Sequence, residues 1–297
     1  MRRGVAFVSC DVDPVDTHLA GYGVRPRSPC PLAATVAVPR LLALAAELGI
    51  RMTWFWVARD ARTQAEVLRQ AVAQGHEIAA HAWSHPVPFA REATRLRHEV
   101  AAPRRALQAA TGQPVWGFRA PGWDAPAAVR RAIADAGYRY DASAFPSPML
   151  VANRIAVARR GGRWRTLLAA SWPTGSWSRR PRRRGGLVEI PIATTPWLRL
   201  PCYHTLAHVL PDRIFDRILD ACLRDEAPVG YVIHAVDALA LDDGVDPRLA
   251  RHPGMDRPLE AKLRRLRAVL GRIAAHRDVV PMAHCVRAHD ATRPGPP

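Results

Sequence analysis

Two short segments of this 297-residue chain concentrate side chains that can grip a cation: Asp11 and Asp13 stand one residue apart, and His81 and His85 are separated by three. The histidine spacing puts two imidazoles on one side of a single turn, and Asp13 adds a carboxylate from a neighbouring region. Two histidines and one aspartate leave a coordination position open, as catalytic metal sites do and structural ones do not. The same residues have plainer readings. Twelve histidines make a chance pair at this spacing easy to find, Asp11 and Asp13 suit turns or caps, and Arg119 suits a surface. The ligand set is also that of mononuclear iron oxygenases.

The elements that must carry these groups are legible from periodicity. Short runs rich in Val, Ile, Phe and Tyr alternate with longer Ala/Leu/Arg stretches of helical period, which means β/α units. Strands are expected at 5–9, 52–57, 77–80, 115–118, 138–141, 187–192, 230–234 and 279–282, and helices at 39–48, 61–74, 91–110, 125–136, 212–224 and 259–275. Asp60 and Asp124 suit helix N-caps, and Gly49, Gly75, Gly112 and Gly137 stand where helices should stop. Six or more such units without an internal linker favour one α/β domain over residues 1–297, a parallel (β/α) barrel rather than an open sheet. Residues 143–186 break the rhythm as an Arg/Trp-rich excursion, a long loop or hairpin. In a parallel barrel, reactive groups belong at the C-terminal strand ends. Asp11, Asp13, His81, His85, Arg119, Asp141 and His234 all fall there.

In that order, Asp11-Val12-Asp13, His81-x-x-x-His85, Arg119-x-Pro121, Asp141-x-Ser143 and a late strand ending in His234 resemble the ordered motifs of the polysaccharide deacetylases, carbohydrate esterase family 4. The resemblance implies a distorted parallel (β/α) barrel of seven or so strands and a metal-dependent hydrolase that removes an N-acyl or O-acyl group from a sugar. It implies Asp13, His81 and His85 as ligands of one divalent metal, zinc first, with cobalt, nickel or iron as alternatives. Asp11 is then the general base, oriented by Arg119, and His234 the general acid, its protonation set by Asp141. The Gly122 backbone N–H becomes a candidate oxyanion donor, and Trp123 and Trp83 candidate substrate contacts. Val12 separates two aspartates that are adjacent in commoner members, which leaves base and ligand open to exchange. Segments 81–85, 189–191, 231–235 and 252–256 are similar to deacetylases and deformylases of amidosugars linked to polyprenyl phosphate. The Arg-x-Pro form favours acetyl over formyl. Alternatives are a soluble deacetylase of a glycosylated metabolite and a non-catalytic binder of carbohydrate or nucleic acid.

Composition narrows the partners. With 43 Lys+Arg against 26 Asp+Glu the formal charge is +17, and 48% hydrophobic residues exclude disorder throughout. Only Lys262 is lysine, so part of the charge is an arginine bias of composition. Arginines at 154–184, interleaved with Trp164, Trp172 and Trp177, read first as a solvated, compositionally biased loop; they would also suit a lipid or anionic-substrate surface or, less well without a binding motif, nucleic acid. Residues 262–270 form an amphipathic helix with a basic outer face. No apolar run reaches the roughly 20 residues of a membrane span. The N-terminus meets Asp11 before any signal-peptide core, and five scattered cysteines lack a CxxC pair. A cytoplasmic protein with reduced thiols is expected, peripheral at the inner membrane face if its substrate is lipid-linked.

Overall fold

A computed structural model describes residues 3–24, 30–86, 89, 92–151, 155 and 177–291. Arg159, Arg160, Arg163, Arg165, Trp164 and Trp172 of the expected excursion lie outside the described residues.

The strands are β1 (Gly4–Val12), β2 (Thr53–Trp56), β3 (Glu77–Ala80), β4 (Gly117–Phe118), β5 (Tyr140–Asp141), β6 (Arg182–Arg184), β7 (Leu187–Glu189), β8 (Val229–His234) and β9 (Arg277–Val279). They form one curled sheet in the order β6-β7-β5-β4-β3-β2-β1-β8, with β9 also on β1. Among the described residues every pairing between these strands is parallel except the β6–β7 hairpin. Its turn is Gly185–Gly186, with φ of +56° and +84°, a conformation that glycine adopts without strain. The helices are α1 (Val15–Gly21), α2 (Val38–Glu47), α3 (Ala65–Ala73), α4 (Ala93–Thr111), α5 (Ala127–Asp135), α6 (His204–Val209), α7 (Asp212–Arg224), α8 (Leu259–His276) and α9 (Ala283–Ala291).

The expected distorted parallel barrel is the observed architecture, as a half-barrel that no ladder closes between β7 and β8. Across that gap Ala193 donates its backbone N–H to Gly230 at 2.8 Å. A Cβ at Gly230 would lie 2.4 Å from the Pro191 carbonyl oxygen, so the approach requires glycine.

Some local expectations are corrected. Asp60 pairs with Arg59, and α3 begins after Gln64; Asp124 accepts the Phe89 N–H, and α5 begins after Pro126. Lys262 is not on an outer face but buried under α8. The described arginines of the excursion are held by the chain's own acids: Arg179 by Asp225 at 3.0 Å, Arg180 by Glu226 at 3.3 Å, Arg184 by Glu189 at 3.4 Å, and Arg183 by Asp290. No helix among the described residues is long and apolar enough to cross a membrane.

Gly230→Ala should lower the melting temperature, because the added methyl meets backbone and must push the two barrel edges apart, a cost of about 1–3 kcal/mol. An unchanged thermal melt would show that this edge carries no packing constraint.

Candidate active site

The site is built by register. In an extended strand, alternate residues face the same side. Asp11 therefore points into the barrel mouth, Val12 into the surrounding core, and Asp13 inward again; all three are buried. Asp11 pairs in register with His234 on β8, which brings those two side chains next to each other. His81 directly follows β3 and Arg119 directly follows β4.

Arg119 crosses the barrel interior, fully buried. Its Nη1 donates to Asp11 Oδ1, its Nη2 to Ser9 Oγ at 3.0 Å and its Nε to the Ala142 carbonyl at 3.1 Å. The guanidinium also stacks 3.9 Å from the Phe55 ring centroid. Asp11 is thereby oriented, with Oδ2 left 3.8 Å from His81 Nε2 and 3.9 Å from His234 Nε2.

Asp13 is placed differently. Its Oδ1 lies 3.4 Å from His81 Nε2 and 3.5 Å from His85 Nε2, too far for good hydrogen bonds, and this buried oxygen has no partner among the described residues. His81 Nδ1 donates to the Arg119 carbonyl at 2.8 Å, which turns the Nε2 lone pair toward Asp13. Burial would raise the Asp13 carboxyl, but the imidazoles of His85, His81, His18 and His234 outweigh it and hold the group below the usual range. Burial pushes the His81 imidazole down, toward the neutral form a metal ligand needs. Asp13, His81 and His85 thus offer three converging donor atoms that fit a divalent cation.

The two histidines sit not on a helical turn but in an irregular loop where Ala82 and His85 take φ of +66° and +58°. Glu99, reaching up from α4, holds that loop: its carboxylate accepts the N–H of Trp83 at 3.0 Å, the N–H of Ser84 at 2.9 Å and the Ser84 hydroxyl at 2.6 Å. Trp83 consequently faces α4, its ring edge-on to His98 at 5.3 Å, and is not among the residues lining the cleft. Its expected substrate contact is corrected.

The cleft at Asp13, His81 and His85 is also lined by Gly122, Trp123, Tyr203, Thr205, His18, Tyr22, His252 and Pro253. Gly122 takes φ of +62° in the turn after β4. Asp141 is corrected as the partner of His234: its Oδ1 accepts the Ser143 N–H at 2.9 Å and the Ser143 hydroxyl, and Ser143 Oγ in turn accepts the Ala120 N–H at 2.8 Å. It braces the β4–β5 loops instead, and burial pushes its carboxyl up to about 6. Sequence reasoning missed Glu99, His18, Tyr22 and Tyr203. A carboxylate within a basic helix was the only signal for the first, and the others follow strands at no fixed spacing.

Residues 29–140 match the family model described as polysaccharide deacetylase. A curated relative, the peptidoglycan deacetylase of Helicobacter pylori (strain ATCC 700392 / 26695), is 30% identical over 138 residues, 45% of this chain and 47% of that protein. The chain thus aligns with about half the length of that relative. Among solved structures, a Mycobacterium smegmatis protein assigned to the polysaccharide deacetylases superposes with a TM-score of 0.61 at 19% identity, covering 98% of this chain and 94% of that one. A Puue allantoinase reaches 0.56 at 18% identity, covering 98% and 91%. A family 4 carbohydrate esterase from Streptomyces lividans reaches 0.50 at 14% identity, covering 95% and 100%. At these identities the structures establish the fold. Both comparisons agree with the motif resemblance over part of the chain, the family match spanning His81, His85, Arg119 and Gly122.

Glu99→Ala should weaken zinc binding about 10- to 100-fold, as loss of a ligand-orienting partner does; an unchanged affinity in a competitive chelator titration would mean that the loop keeps its shape unaided. Asp141→Asn supplies a pH test. A carboxyl raised from 3.8 to about 6 retains its proton more strongly folded than unfolded, so wild-type stability falls between pH ~4 and ~6, by at most about 3 kcal/mol. The variant, which cannot ionise there, should gain on the wild type in melting temperature from pH 4 to pH 7. A pH-independent difference would contradict the shift.

Proposed function

We propose that this chain is a metal-dependent hydrolase that removes an N-acetyl group from an amidosugar, in the manner of polysaccharide and peptidoglycan deacetylases. The observation that carries the reading is the unequal treatment of two buried carboxylates: Asp11 is neutralised by Arg119, whereas Asp13 faces only imidazoles and keeps a buried oxygen without a hydrogen bond. Asp13, His81 and His85 would hold one divalent ion, with zinc first and cobalt, nickel or iron as alternatives; bound there, it supplies Lewis acidity and a water far more acidic than bulk.

The chain's own residues do the rest. Asp11, fixed by Arg119, takes the proton of the attacking water through Oδ2, the oxygen left open toward the cleft. His234, in register with Asp11, delivers a proton to the departing amine, because an unprotonated amide nitrogen is a very poor leaving group. The Trp123 and Tyr203 rings, 5.9 Å apart on one wall, offer apolar faces to a sugar ring. Gly122, which lines the cleft, is the candidate backbone donor to the oxyanion that develops during attack.

For the carrier of the sugar, a polyprenyl phosphate follows from the motif resemblance. The internally paired arginines add nothing to it. What supports it is a loop tip on which Trp197 is 92% exposed and Leu198 73%, side chains suited to a lipid interface.

The experiment is hydrolysis of N-acetylated amidosugars by wild type and Asp11→Asn, with metal measured on both. The variant should keep the metal and lose several orders of magnitude in turnover. Loss of metal on Asp11→Asn would exchange the roles of Asp11 and Asp13. Equal turnover on lipid-linked and free sugars would remove the carrier from the proposal.

A further inference from the structure

His234 stands at the end of β8, and the side chain that fixes its backbone comes from three residues further along the chain. One oxygen of Asp237 accepts the His234 backbone N–H at 2.8 Å, and the other is bonded to His208 Nε2 at 3.0 Å. Asp237 belongs to the short 3-10 turn Ala235–Ala238, and both it and His208 of α6 are buried. From the opposite side Lys262 grips the same turn: its Nζ donates to the carbonyls of Val236 at 3.1 Å and Leu239 at 2.6 Å. The single lysine of the chain is thus spent, buried, on two carbonyls of this turn.

His208 is itself wedged in place. A Cβ on Gly254 would lie 2.7 Å from its ring, and Gly254 takes φ of +80°, so only glycine lets the chain close over that imidazole. One helical turn earlier, His204 Nδ1 bonds the Tyr231 hydroxyl at 2.9 Å, tying α6 to β8. Burial would raise the Asp237 carboxyl, yet the bond from His208 and the imidazoles of His204, His208 and His234 hold it below the usual range. A buried anion is costly, and this one is aimed at the residue that precedes its own turn.

We infer that Asp237, anchored by His208, is the positioning residue that fixes His234 for delivery of a proton to the departing amine. The part is one that the motif order gives to Asp141, whose carboxylate is instead occupied by Ser143. The inference rests on the deacetylase reading above and adds two residues, Asp237 and His208, to the machinery of its proton-donating step.

The test separates proton delivery from general damage. A departing amine must be protonated, whereas 4-nitrophenolate leaves as a stable anion. Turnover of an N-acetylglucosamine oligomer therefore depends on the donor far more than turnover of 4-nitrophenyl acetate. Asp237→Asn keeps an acceptor for the His234 N–H and removes the charge. On the metal-loaded enzyme, its amide-to-ester turnover ratio should fall about tenfold or more, within the ~10²- to 10⁴-fold that a positioned acid contributes. His208→Leu should lower the ratio in the same direction and decides the matter if Asp237→Asn does not fold. A merely structural role would lower both rates together, so a fall in the ratio of less than about fivefold overturns the inference. His234→Ala is the control. If it leaves the ratio unchanged, the general-acid reading itself fails; if it lowers the ratio while the other variants do not, only the role of Asp237 fails.

Discussion

Two buried carboxylates, Asp11 near the end of β1 and Asp13 just beyond it, set the terms for everything around them. Ionised groups in a dry barrel mouth must be neutralised or they protonate. Asp11 is answered by a guanidinium that spends all three nitrogens inside the barrel and stacks on Phe55. Asp13 is answered only by imidazoles that neither donate to it well nor leave it exposed to water. In the proposed function the first arrangement serves as a fixed proton acceptor, and the second as a set of converging donor atoms for a cation. The parallel sheet supplies both because every strand delivers its last residues to the same end.

The loops beyond those strand ends bear the cost of precision. His85 sits at positive φ, a conformation a side chain of its kind adopts only when its surroundings insist, and Glu99 supplies that insistence through three hydrogen bonds. Asp141 does similar work between the β4 and β5 loops through Ser143, and Asp237 does it after β8. Three acids outside the Asp13, His81 and His85 set thus hold three loops, each by accepting backbone N–H groups that the turn leaves unpaired.

Much of this was legible in the sequence because strand ends have a fixed grammar. Alternation located the strands, glycine marked the helix stops at Gly49, Gly75, Gly112 and Gly137, all at positive φ, and the ordered polar strand ends carried the motif. Illegible were features set by tertiary approach. Nothing local to Lys262 distinguishes it from Arg264 or Arg265, and its burial follows from where α8 passes beneath Val236 and Leu239. Trp83 reads as a cleft residue until Glu99 turns its loop. The expected link between Asp141 and His234 failed because a hydroxyl two residues away reaches the carboxylate first.

The central claim is that Asp13 anchors a resident cation, and the metal content of the purified protein tests it most directly. After gentle dialysis, elemental mass spectrometry should find about one equivalent of zinc, cobalt, nickel or iron per chain in the wild type and essentially none in Asp13→Ala. Absence of metal from both, persisting after reconstitution with each ion, would contradict the account and leave the converging donors a vestige in a protein that binds its ligand without cleaving it.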